Sequence, residues 1–332
     1  MKTIDSVAHA RAGLLGNPSD GFYGKTLSVE VRNFTARVTL TESDAFEILP
    51  GREEACVFTS LDEFVENLRQ VGLYGGMRLV KATIKRFTDY CREKDIELAR
   101  KNFTLRYESD IPRQVGLAGS SAIITAVFRA LLEFYGVDIP RTVLPGLVLS
   151  VETRGVGIQA GLQDRVAQVY GGLVYMDFER AFLEKNGHGR YETLDPSLLP
   201  PLYLAYRSEF AEDSDVYHSD LRARWEAGDP EVVKAMKEFG EITALGRNRL
   251  LENDNAGFSA LMDRNFDTRQ RISTLNPQHE RMIEVARTLG VSAKFAGSGG
   301  TVVGVCEDEA VYQRLSEKFS EIGCTVVRPK VA

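Results

Sequence analysis

The sequence predicts an α+β protein of about two domains, and three observations carry that prediction. A chain of 332 residues exceeds the roughly 100–200 residues of one typical domain. Strand-like alternation marks its first part, whereas helical periodicity groups in the second; a regular βαβ wind would interleave the two. Its 43% hydrophobic and 27% charged content is that of an ordinary globular chain able to bury a sizeable core.

The elements follow in order. In LSVEVRNFTARVTL, Leu27, Val29 and Val31, then Ala36, Val38 and Leu40, are spaced by two, which predicts paired strands. EFVENLRQVGLYGGMRLVKATIKRFTDYCREK reads as helix with a glycine break at Gly75 and Gly76, and NFTLRYESDIP as a strand stopped by Pro112. From Ser120 onward Ile123, Ile124, Val127, Leu131 and Phe134 recur at three and four, so one helical face is apolar until Gly136. PGLVLSVETRG predicts a helix opened by Pro145, GVGIQAGLQDRVAQVYGG a short helix between glycines, and GGLVYMDF a strand. The polar run HGRYETLDPSLLPP divides the chain into 1–195 and 196–332. Beyond it come a strand at PLYLAYRS, two or three helices through Leu289, and a strand, helix and strand at TVVGVCED, VYQRLSEKFSEIG and CTVVRP.

Charge and composition exclude several functions. A formal net charge of −6 argues against broad nucleic-acid or anionic-membrane binding. No stretch reaches the roughly 20 apolar residues of a membrane span, and the first residues carry no apolar signal block, so a cytoplasmic protein is expected. Cys56, Cys91, Cys306 and Cys324 lack CxxC or metal-finger spacing and read as reduced structural thiols. GFYGKT ends like a P-loop, but Ser19 stands where the motif needs its first glycine and a strand-like segment follows; a Walker-type site is excluded.

Three other segments carry the chemistry. In QVGLAGSSA, Gly116 and Gly119 let backbone approach a ligand, and Ser120 and Ser121 sit where a helix's first amides lack partners. A helix start favours anions, so polyphosphate fits there; a plain serine N-cap with packing glycines fits as well. KFAGSGGTVVGV is a glycine-serine turn entering a strand, which alone reads as a flexible loop. In ARAGLLGNPSD, Arg11 and Asp20 flank an apolar bend, which alone is compatible with a surface salt bridge.

In this order the three segments resemble the signature motifs of the GHMP small-molecule kinases, and the resemblance runs across nearly the whole chain. Within the family the wording is most similar to the glucuronokinase branch, on LLGNPSD, IPRQVGLAGSSAI, AGLQDRVAQVYGGLVYMDF and KFAGSGG. The resemblance implies a two-domain fold, ribosomal protein S5 domain 2-like and then ferredoxin-like. It implies ATP and Mg²⁺ as cofactors, a small-molecule uronate as substrate, and a monomer or homodimer. Gly116, Leu117, Ala118, Gly119, Ser120 and Ser121, with Gly297, Ser298 and Gly299, are then expected to hold ATP. Ser121 and Glu152 are expected to ligate magnesium, Asp164 and Arg11 to be catalytic, and Asp20, Lys25 and Arg165 to meet the sugar. The alternatives are another sugar acceptor (galacturonate, a hexose or a heptose) and a non-catalytic sensor of the same fold. The chain departs from the family's first motif: Ala8, His9 or Ala10 stands where its proline belongs, and Asn17-Pro18-Ser19 replaces Glu-His-x. His9 reads as an incidental strand-end residue, and Trp225, Tyr203 and Tyr206 as packing.

Overall fold

One 19-residue strand organises the first half. In the computed structural model, which describes residues 2–49, 75–207 and 215–331 with the side chains of 215–220 excepted, β2 (Lys25–Ser43) pairs antiparallel with β1 (Thr3–Leu15) along one edge. Its other edge takes β4 (Asn102–Ser109) and, further along, β5 (Leu173–Asp177). β3 (Glu47–Leu49) and β6 (Arg190–Leu194) complete six strands.

Two expectations change here. LSVEVRNFTARVTL is one strand, because the jump in spacing from Val31 to Ala36 is a bulge opposite His9 and Ala10, not a turn. His9 consequently lies within a strand. The polar RYETL at the expected boundary is β6, paired with β5.

Helix α1 (Gly76–Glu93) begins at the glycine break; the helical reading before Gly75 and Cys56 lie outside the described residues. α2 (Gly119–Tyr135) packs on β1 and β2 with Ile124, Val127, Phe128 and Leu131 wholly buried, as its periodicity requires. α3 (Leu144–Ser150) runs into a π-helical turn, Val151–Val156, that ends on left-handed Gly157. α4 (Gln163–Tyr170) and α5 (Arg180–Asn186) flank β5.

The second half holds a four-stranded antiparallel sheet of β7 (Leu202–Arg207), β8 (Lys294–Phe295), β9 (Thr301–Val305) and β10 (Cys324–Val327), in the order β10-β7-β9-β8. That order, with helices between β7 and β8 and between β9 and β10, is the ferredoxin-like arrangement. Among the described residues four helices rather than two or three lie between β7 and β8: α6 (Asp215–Glu226), α7 (Pro230–Leu251), α8 (Asn255–Ile272) and α9 (Pro277–Thr288). Asp229, Asp254 and Asn276 cap the last three through side-chain oxygens, and these caps separate what reads as fewer helices. α10 (Glu309–Ser320) closes the unit.

The halves meet at the end of β1. Thr243 of α7 donates to the Lys25 carbonyl at 3.1 Å, and Asn265 of α8 accepts from the Gly16 amide at 2.6 Å. Cys91, Cys306 and Cys324 are buried free thiols, as expected. Among the described residues no helix is long and apolar enough to cross a membrane.

Candidate active site

Between β4 and α2 the chain turns through three left-handed residues, Gln114, Gly116 and Ala118, with φ of 55°, 77° and 63°. Two are not glycine, so the loop holds strain that surrounding bonds must offset. The Ala118 carbonyl accepts from Gln168 Nε2 at 2.9 Å, and Gln168 also donates to the His9 carbonyl at 3.1 Å. The helix N-cap is Ala118 and carries no side-chain cap, so the serine-cap reading fails: Ser120 and Ser121 are already inside α2. Its first amides are therefore not claimed by a capping side chain.

The third motif lies against this loop. A β-carbon on Gly297 would stand 2.3 Å from the Gly116 carbonyl oxygen, and one on Gly116 would stand 2.8 Å from that of Gly299. The two glycine segments touch backbone to backbone, which any side chain forbids.

Arg11, on β1 and buried, joins the pieces. Its Nε donates to Asp164 at 2.6 Å, while one Nη donates to the carbonyls of Gly116 and Ala296 at 2.9 and 2.7 Å. One guanidinium thus ties the first motif to the second, the third and the aspartate. Asp164, in the first turn of α4, is half-buried and also 3.2 Å from Arg165.

Glu152 is fully buried in the π-helical turn. Ser120 Oγ donates to its Oε1 at 2.7 Å, and the Arg165 guanidinium binds its Oε2 through Nε at 2.6 Å and through Nη2. Ser121 instead turns its hydroxyl back to the Ala118 carbonyl at 3.2 Å. Neighbours on a helix point about 100° apart, so only one serine can face Glu152. Ser120 is the serine that meets Glu152, while Ser121, the expected magnesium ligand, turns away from it.

The two cations expected to meet the sugar have partners within the protein. Arg165 is buried, with its donors on Glu152, on the Gly161 carbonyl at 2.9 Å and on Asp164. Burial lowers its pKa, but Glu152 and Asp164 outweigh that and raise it, so it stays charged. Lys25 pairs with Asp177 across the β2–β5 ladder. Arg165 is thus engaged inside the protein, whereas Lys25 keeps about a third of its side chain exposed, 33%.

Asp20 sits on a 3₁₀ turn, Ser19–Phe22, and accepts from the Gln163 amide at 3.1 Å. Burial, reinforced by neighbouring Asp164, pushes its carboxyl up to about 6. Among the described residues Asp20 has no directly bonded cation to offset that burial.

The motif reading misses two buried cations behind this frame. Lys294 donates to the Gly13 carbonyl, Asn17 Oδ1 and the Phe295 carbonyl at 2.6, 2.6 and 2.7 Å. Arg269 donates to the carbonyls of Gly297 and Ser298 at 2.6 and 2.8 Å. Burial lowers the Arg269 pKa to about 10 and drives that of Lys294 well down, with Arg269 and Arg11 adding repulsion. Lys294 opens KFAGSGG and was legible as part of that motif; nothing local singles out Arg269.

A buried guanidinium that ties two glycine loops and a half-buried carboxylate together beside a helix start with no side-chain cap suits a polyphosphate ligand. Residues 78–172 match the family model "GHMP kinases N terminal domain" and residues 231–321 match "GHMP kinases C terminal". The chain belongs to the GHMP kinases, which are ATP-dependent phosphotransferases with a hydroxyl acceptor. It is 46% identical to Glucuronokinase 1 of Arabidopsis thaliana, over 99% of this chain and 92% of that protein. Two solved structures share its fold at low identity. The Lin0012 protein of Listeria innocua has a TM-score of 0.80 at 13% identity, covering 100% of this chain and 98% of that one. Lactococcus lactis galactokinase complexed with galactose has a TM-score of 0.78 at 15% identity, covering 99% and 94%.

Proposed function

We propose that this chain transfers the γ-phosphoryl group of ATP to the anomeric hydroxyl of D-glucuronate, giving glucuronate 1-phosphate and ADP. The observation that carries the phosphoryl-transfer half is the Arg11 junction, which holds Asp164 beside both glycine loops through bonds of 2.6 to 2.9 Å. The sugar half is supported by the near-full-length similarity to a protein named glucuronokinase.

Each residue then has a task. The amides of Gly116–Ser121 and the Gly297–Gly299 loop cradle the triphosphate, where the helix start favours negative charge. Asp164 orients the sugar hydroxyl and takes its proton as the oxygen bonds to the γ-phosphorus. The bond to the bridging oxygen breaks, and ADP leaves with that electron pair. Arg11 fixes Asp164 through the 2.6 Å bond. Asp20 meets sugar hydroxyls, and Arg165 positions Glu152.

Among the described residues no three His, Cys, Asp or Glu side chains gather as a metal cluster. One buried carboxylate and one hydroxyl, with phosphate oxygens and water, nevertheless match the oxygen ligands magnesium takes. Glu152 and Ser120 would hold it, where it neutralises charge on the phosphates. We place the division of the chain at 195/196, a reading supported by the two sheets having no strand in common.

The test is side-by-side phosphorylation of glucuronate, galacturonate, galactose and mevalonate, followed by ADP release, with the product's phosphate position read by NMR. A clear glucuronate preference with a 1-phosphate product is expected. Turnover without preference for a uronate, or phosphate on another carbon, overturns the assignment.

A further inference from the structure

A uronate differs from a neutral sugar by one carboxylate, and a pocket that selects it needs a cation with open donors. The buried cations of the site are engaged within the protein, and Lys25, a third exposed, is an ammonium that cannot make a bidentate pair with a carboxylate. Arg11 and Arg165 hold carboxylates and carbonyls, Lys25 holds Asp177, and Lys294 and Arg269 hold backbone and amide oxygens.

Beside the turn that carries Asp20 stand two further guanidiniums: that of Arg180, which lies 5.2 Å from the Tyr23 ring centroid and donates to Glu184 at 2.7 Å, and that of Arg222 on α6. The Arg222 Nη2 donates to the carbonyl of Gly21, the residue after Asp20, at 2.7 Å. Its plane is held by two aromatic rings: the guanidinium carbon lies 4.8 Å from the Phe22 centroid and 5.9 Å from that of Trp225. Those rings meet edge to face at 5.6 Å, so they brace each other as well. The ion pair that Arg222 makes with Glu226 is at the 4.0 Å limit, and the Arg222 side chain is 45% exposed. One carbonyl and an aromatic pair therefore orient a half-exposed fork that has only the distant Glu226 as a further partner among the described residues. That is the arrangement a planar carboxylate needs, because the rotamer freedom is already restricted before binding.

We propose that Arg222 receives the carboxylate of the sugar and so sets the preference for a uronate over a neutral sugar. The proposal rests on glucuronate being the substrate. It also gives Trp225 and Phe22 a part: they do not stack on the sugar but hold the residue that grips it.

The experiment compares native enzyme with Arg222→Gln and Arg222→Lys on glucuronate and on galactose, with KM for ATP measured in parallel. A charge-assisted pair contributes roughly tenfold to a hundredfold in affinity. Arg222→Gln is therefore expected to raise KM for glucuronate by that factor, to lower the glucuronate-to-galactose ratio of kcat/KM about as much, and to move KM for ATP less than threefold. Arg222→Lys is expected to recover only part, because an ammonium cannot make the bidentate pair. An intact ratio in Arg222→Gln overturns the role, and so does an equal loss on both sugars, which is what a residue merely bracing the Gly21 turn produces. If native enzyme itself shows no preference for glucuronate, the substrate reading falls first, and that outcome is distinct from either result on the variants.

Discussion

Replacing Asp164 by Asn separates chemistry from architecture. The carboxylate accepts from Arg11 Nε at 2.6 Å and lies 3.2 Å from Arg165. Asparagine keeps the shape and one acceptor oxygen, so Arg11 retains a neutral bond there and its two carbonyl partners at 2.9 and 2.7 Å. Arg165 retains Glu152. A charge-assisted bond becomes an ordinary one, which costs about 1–2 kcal/mol of stability and leaves the protein folded. The lost proton acceptor costs about 10²- to 10⁴-fold in rate, or about 3–5 kcal/mol of barrier. Turnover at saturating substrates should therefore collapse while ATP affinity, measured by titration calorimetry, stays within about threefold of native. Turnover within threefold of native removes Asp164 from its role, and an equal loss of ATP affinity reassigns it to the cradle.

The other predictions use the same frame. Gly297→Ala places a methyl 2.3 Å from the Gly116 carbonyl oxygen, a backbone atom that cannot swing aside; ATP affinity should fall at least tenfold, read by calorimetry, with far-UV circular dichroism unchanged. Asp20 titrates at about 6 in the fold and near 3.9 unfolded, so its ionisation is disfavoured by folding. Its contribution is fully present below pH 4 and is lost as pH rises through 6. Asp20→Asn abolishes that loss, so the stability of the variant relative to native should increase from pH 4 to 7 in urea titrations; a flat difference refutes the raised carboxyl. Lys294→Met leaves Gly13, Asn17 and Phe295 acceptors without their shared donor and should destabilise the protein by about 2–4 kcal/mol in the same assay.

How much of this was legible depends on distance along the chain. α2 and its glycine turn are local: apolar spacing predicts the helix, and small residues before it predict a tight loop. β1 escaped because alternate inward positions are Ala8, Ala10 and Ala12, small residues with little strand preference, so the period of two carries almost no hydrophobic contrast. The bulge opposite His9 broke the parity of β2 and made one strand read as two. At the site, motif order brought Arg11, Gly116, Asp164 and Gly297 onto one page, but not their bonds: Arg11 and Asp164 are 153 residues apart. Adjacent residues pointed the wrong way for the same reason. Arg165 follows Asp164 in the sequence, yet a helix turns about 100° per residue and aims it at Glu152, 13 positions earlier. Ser121 lost its place to Ser120 by the same rotation. Sequence order thus identifies which segments meet, while the helical turn between neighbouring residues decides which way each side chain points: Arg165 turns inward to Glu152, whereas Arg222 keeps a half-exposed fork beside the turn of Asp20.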